Sequence, residues 1–180
     1  RKNLDCFALL AMTEQNSAFR NLGWYSNRMF KVSLKEFEAF IREGVEAIPD
    51  KFRSRIVNVA FLADEEPTEA QRKENKLHSG ETLFGLYEGI PHPARGEGYG
   101  GMVLPDRITI FKKPIEMEAT LFVKEQLGIR MRPHTNAKQK EMFKREVKKH
   151  VIDTVWHEIA HHFGLNEYEV ERREQERGTE

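Results

Sequence analysis

From residue 33 onward the apolar positions fall into runs whose spacing names the element. Ser33-Leu34-Lys35-Glu36 is a capping box, and Leu34, Phe37, Ile41, Val45 and Ile48 recur three or four apart, the period of a helix with one buried face. The spacing predicts a helix over residues 34–48, ended by Pro49. Residues 55–63 read as a strand, with Ile56, Val57, Val59, Phe61 and Leu62 placing apolar side chains on both faces, so both are expected to be covered. Residues 64–80 are polar and punctuated by Pro67 and Gly80, and read as a long surface loop with room for one turn of helix.

Residues 82–87 are a second strand, followed by Gly89-Ile90-Pro91-His92-Pro93 and the glycine-rich stretch 96–101, expected to be a mobile connection. Residues 107–111 are the third strand, where Ile108 and Ile110 alternate with Thr109 and Phe111 to give unlike faces. Pro114 opens the next helix within its first turn, and Gly128 closes it. The last long helix is expected from about Asn136 to Phe163. Its row Phe143, Val147, Val151, Val155, Ile159 and Phe163 drifts by about 40° per step, so the buried contact must wrap around the helix. Ile152 and Trp156 widen that face, which makes the C-terminal half the most enclosed part. Residues 171–177 form a charged tail, helical or frayed. No internal repeat or low-complexity tract is present.

Composition narrows the class. At 180 residues with 39% apolar content, one sizeable core fits and two would be cramped. The charges cancel to a net of zero, so no global field draws the chain to nucleic acid or to an anionic membrane. The longest early apolar run, from Cys6 to Met12, is far short of the roughly 20 residues of a membrane span. Thr13-Glu14-Gln15 follows it where a signal peptide would carry a small-residue cleavage site, which disfavours secretion. The single cysteine, Cys6, has no intrachain partner, and this favours the cytoplasm. Residues 1–30 have no clean period and read as an N-terminal extension whose structure the pattern does not settle. The domain proper is residues 31–180.

The chemistry concentrates in His157-Glu158-Ile159-Ala160-His161. Two histidines four apart on a helix differ in direction by about 40° and lie about 6 Å apart along the axis, so both imidazoles can meet one ion. Zinc accepts such nitrogens at about 2.0–2.1 Å and asks for four ligands, which this pair begins without completing. Glu158 is turned aside from the metal but toward a water bound on it, where it can act as the general base of amide hydrolysis. Gly164 follows and can reverse the chain, bringing Glu167 back as a third ligand. Glu167 sits at the offset of the last ligand in the metzincin pattern. Two imidazoles, one carboxylate and an open fourth position make a catalytic rather than a closed structural site. Asn166 could instead end the turn and is the weaker ligand.

Ile108-Thr109-Ile110 after Leu104-Pro105-Asp106-Arg107, together with the run from Thr154 to Gly164, resembles a family of small bacterial zincin-like metallopeptidases. Leu86-Tyr87-Glu88-Gly89-Ile90-Pro91 fits the same family, and the resemblance covers about residues 33–170. It implies a minimal zincin fold with a short sheet over the metal-bearing helix. That family usually has aspartate as its third ligand, so Glu167 is a conservative departure. The first 30 residues lie outside the resemblance, and Leu4-Asp5-Cys6-Phe7-Ala8-Leu9-Leu10 would be a leader foreign to the catalytic domain.

Other candidates have plainer readings. His162 points about 100° from the ligand row and reads as a packed or exposed helix-end histidine. His150 reads as a solvated helix position near the cleft. His92 and His134 sit in loops beside prolines, where a donor to a transition state competes with an ordinary exposed histidine. The run from Gly100 and Gly101 into the third strand could let a substrate add as a strand along a sheet edge, or be an ordinary loop. Asp106 reads as a turn cap. Lys138, Lys140, Lys144, Arg145, Lys148 and Lys149 alternate with Glu141 and Glu146 as on a solvated helix face, short of a nucleic-acid footprint.

The expected fold is therefore α+β: a small, twisted, mixed sheet of three or four strands packed on helices, with the long metal-binding helix beneath. The expected protein is a zinc-dependent metallopeptidase acting on a peptide or protein substrate through a zinc-bound water, with Glu158 as base and His157, His161 and Glu167 as ligands. The alternative is a non-catalytic metal-binding module that engages a protein partner; a third reading is a nucleic-acid-associated regulator. Nothing in the sequence sets the oligomeric state.

Overall fold

The structure, a computed structural model, describes residues 30–96, 104–128 and 137–177. The N-terminal extension, the glycines at 100 and 101, and His134 lie outside these residues.

The first helix, α1, spans Leu34–Glu46, and its capping box is formed: Glu36 N donates to Ser33 Oγ while the Glu36 carboxylate accepts from Ser33 N. A cap of this kind is worth about 1 kcal/mol. Phe37, Phe40, Ile41 and Gly44 are buried, whereas Leu34, expected on the same face, is exposed because the first turn projects beyond the core. A short helix, α2 (Asp50–Arg53), follows Pro49.

β1 spans Val59–Asp64, starting four residues later than the periodicity suggests. α2 and its closing turn take up residues 50–56, and Asn58 at φ 58° re-aims the chain. The expectation that both faces of this strand are covered is also corrected. Val59, Phe61 and Ala63 pack on the core, but Leu62 on the opposite face is exposed.

Within residues 64–80 stands a helix, α3 (Glu69–Glu74), with its own capping box between Thr68 and Gln71. β2 is Gly85–Glu88, and a 3-10 turn spans His92–Ala94. β3 (Asp106–Phe111) passes directly into α4 (Lys112–Leu127), which Gly128 ends in the left-handed conformation at φ 59°. The long helix α5 is Ala137–His162, and α6 is Glu167–Arg177.

The sheet order is β1-β3-β2, with β1 parallel and β2 antiparallel to β3. Among the described residues β3 is thus the central strand, paired with β1 on one side and β2 on the other. One face of β3 sends Ile108 and Ile110 into the main core, and the other sends Phe111 into a smaller cluster with Leu83 and Leu86. The small mixed sheet on helices, with a long helix carrying the histidines, is the α+β arrangement that the resemblance implies.

α5 is the spine. Phe143, Val147, Val151, Val155 and Ile159 are all buried, and the helix packs on α1, α4, β2 and β3. Gly44 of α1 permits close crossing: a β-carbon there would stand 3.3 Å from Val155 Cβ. Away from this crossing, Lys112 and Glu116 form a buried ion pair at 2.9 Å, and Glu116 also accepts from Val32 N, tying the start of the described chain to α4. On the outer side of α5, Lys144 pairs with Glu36 and Lys148 with Glu43, so part of the basic run is engaged with α1.

Candidate metal centre

His157 and His161 project from the same face of the last turns of α5, and both are buried. The helix then ends in a double reversal: Leu165 N donates to Ala160 O and Gly164 N to His161 O, with Gly164 at φ 85°. This is the Schellman arrangement, which needs a residue without a β-carbon penalty at that position. Asn166 then caps α6, accepting from Glu169 N, while the Glu169 carboxylate accepts from Asn166 N. Asn166 is therefore spent on starting a helix, and Glu167 is the first residue of it, turned back toward α5.

The three side chains converge. His157 Nε2 and His161 Nε2 are 3.1 Å apart, Glu167 Oε1 is 3.5 Å from His157 Nε2, and Glu167 Oε2 is 3.4 Å from His161 Nε2. Donors at about 2.0–2.1 Å around a tetrahedral zinc stand about 3.3 Å apart along each edge, so these separations fit one ion. Together His157, His161 and Glu167 form a cluster capable of holding a metal ion. His161 Nδ1 lies 2.9 Å from Leu165 O, a contact that leaves Nε2 free to ligate. Burial works against the Glu167 carboxylate, but its contacts with His157 and His161 outweigh this and hold its pKa down at about 2.

Glu158 points from the other side of the same turn and is fully buried. Its oxygens have no side-chain hydrogen-bond partner, and the Tyr87 backbone N–H is directed at them. Burial pushes its pKa up to about 7, against the pull of His157 and His161 and with help from the Glu167 charge. Gly85 of β2 lies directly over it: a β-carbon there would stand 2.6 Å from Glu158 Oε1.

The remaining histidines divide. His162 is packed with 0% exposure, its Nδ1 3.5 Å from Asp106 Oδ2, and burial followed by the Arg95 charge lowers its pKa to about 4. His150 is not solvated as expected; it is half-buried against Phe84, with ring centroids 5.7 Å apart, because β2 approaches α5 there. His92 packs its ring on His162 and Phe163. Asp106 does not cap a turn. It opens β3, is buried, and accepts hydrogen bonds from Tyr87 Oη and Arg95 Nη2. No local pattern marks Tyr87 or Arg95 as part of this site, whereas a glycine inside a strand, as at Gly85, signals a close approach.

No helix among the described residues is long and apolar enough to cross a membrane. No curated protein matches the chain. Residues 56–128 and 132–177 match the family of zincin-like metallopeptidases, a span that takes in β1 to α6 and every side chain of the cluster. With its short mixed sheet and the His-His-Glu cluster at the end of its long helix, the chain belongs to the zincin-like metallopeptidase family.

Proposed function

We propose that this protein is a zinc-dependent peptidase in which His157, His161 and Glu167 hold the ion and Glu158 is the general base. The observation that carries the reading is the convergence of the three donor atoms within 4.8 Å of one another, beside a buried carboxylate held near neutrality. A zinc ion bound there would polarise a carbonyl oxygen and lower the pKa of a water toward about 7. Three protein donors leave one vertex of a tetrahedron for a non-protein ligand.

The rest falls to the chain's own groups. Glu158, held above the ordinary carboxylate range by burial, takes a proton from the attacking water and then delivers it to the leaving amine. Leu165 O orients the His161 ring, and the low pKa of Glu167 keeps it an anionic ligand across the neutral range. The substrate is a peptide or protein. The pairing of Lys144 and Lys148 with α1 favours this over nucleic acid, and the lone Cys6 suits the cytoplasm. Residues 31–180 act as the catalytic domain, preceded by an extension.

The test is mass spectrometry of a peptide library treated with the full, zinc-loaded chain and with Glu158→Gln. The variant is expected to keep stoichiometric zinc and lose cleavage by about 10²–10⁴-fold. A wild type that binds zinc tightly and cleaves nothing would instead make the protein a metal-dependent interaction module.

A further inference from the structure

The hydrolytic reading leaves a second buried polar group unused, packed on His162 one turn beyond Glu158. Asp106 accepts from Tyr87 Oη at 2.5 Å, from Arg95 Nη2 at 2.5 Å and from Ile90 N at 3.3 Å. Arg95, with its side chain only 8% exposed, also donates Nε to Ile90 O and Nη1 to Val57 O, both at 3.0 Å, and Nη2 stands 3.4 Å from His162 Nδ1. A buried ion pair adds little net stability, since desolvation offsets its attraction, but it fixes register well. A guanidinium does this better than an ammonium because its donors lie in one rigid plane.

What it registers is the segment from Gly89 to Arg95. Both ends of that segment are tied to Asp106: Ile90 N and Arg95 Nη2 reach the same carboxylate, and the Gly89 backbone lies so close that a β-carbon would stand 2.2 Å from Asp106 Cγ. The middle of the segment, the 3-10 turn, is thereby pressed on the end of α5. Pro93 Cγ would be 2.8 Å from a β-carbon at Gly164, and the His92 ring rests on Phe163. Gly164 is the reversal that returns Glu167 to the histidines.

We infer that Arg95 is a positioning residue of the metal centre: its pairing with Asp106 clamps the Pro93 turn against Gly164 and so sets where Glu167 meets His157 and His161. This rests on the proposal that those three residues hold a metal. It also gives Leu86 to Pro91 and Asp106, the segments that resemble the family outside the histidine motif, a physical task.

The test compares Arg95→Met, Arg95→Lys and Lys112→Met, the last breaking a similarly buried ion pair in α4. Zinc affinity is measured by chelator competition, and the site is read by the visible d–d absorption of the cobalt-substituted protein. Arg95→Met is expected to bind zinc about 10–100-fold more weakly with an altered cobalt spectrum, the scale of loss when the support that orients a ligand is removed. Arg95→Lys should recover part of the affinity, and Lys112→Met should unfold at lower temperature with wild-type affinity. Wild-type affinity and spectrum in Arg95→Met would overturn the inference, as would an equal loss in Lys112→Met. If Arg95→Met does not fold, Arg95→Lys decides alone: several-fold weaker binding supports the role, and wild-type binding refutes it. A wild type that takes up no zinc removes the metal reading itself, and this inference with it.

Discussion

Gly85 in β2 and Glu158 in α5 meet so closely that a β-carbon on the glycine would lie 2.6 Å from Glu158 Oε1 and 2.8 Å from its Cγ. The strand forms the roof over the carboxylate, and burial under that roof is the first cause of its raised pKa. Packing and acid–base chemistry are therefore coupled at this one contact.

Gly85→Ala should destabilise the protein by about 1–3 kcal/mol, the cost of overfilling a packed site, and lower turnover at least about tenfold by displacing Glu158. Zinc stoichiometry should be retained, since the atoms nearest the new methyl belong to Glu158 and Thr154 and not to the three proposed ligands. Urea denaturation and peptide hydrolysis measured on the same preparation check this. Unchanged values for both would mean that the strand yields freely.

Gly164→Ala meets two penalties. The residue holds φ 85°, where a side chain costs roughly 1–2 kcal/mol, and the new methyl would collide with Pro93. Stability and zinc affinity are expected to fall together, and calorimetry with competitive zinc titration reads both. A variant that loses stability alone would detach the reversal from the ligand set.

Zinc should stabilise the fold by mass action, by about 2.7 kcal/mol at a free concentration one hundred times Kd. Thermal unfolding with zinc and with a chelator measures this. Glu167→Ala should shrink the shift strongly while leaving the chelated protein folded, because Glu167 lies at the start of α6 and is partly exposed. An undiminished shift in that variant would place the ion elsewhere.

Glu36 ties α1 to α5. The hydrogen bond from Lys144, followed by those from Ser33, lowers its pKa from 4.5 to about 2. A depressed carboxylate contributes stability that is complete above pH 4.5 and disappears as pH falls through about 2. Glu36→Gln keeps the capping geometry and loses the charge, so it should be slightly less stable than wild type at pH 6, with most of the difference gone at pH 2. The pair is exposed, so added salt should narrow the difference. Urea midpoints across that range, at low and high salt, test the sign.

Much of the site was written locally. The capping box at Ser33, the four-residue spacing of His157 and His161, and a glycine placed to reverse the chain before Glu167 each follow from bonds or periods spanning a few residues, and those the backbone obeys wherever the segment ends up. The four-residue apolar row of α5 likewise announced a contact that must wrap. Only tertiary packing decided that β3 is central, that Leu62 faces outward, that Gly85 roofs Glu158, and that Asp106 binds Arg95 and Tyr87 instead of capping a turn. Those relationships join residues from 11 to 73 positions apart. A period in the chain says which face of an element is buried; it carries no information about which distant backbone or charge will lie against that face.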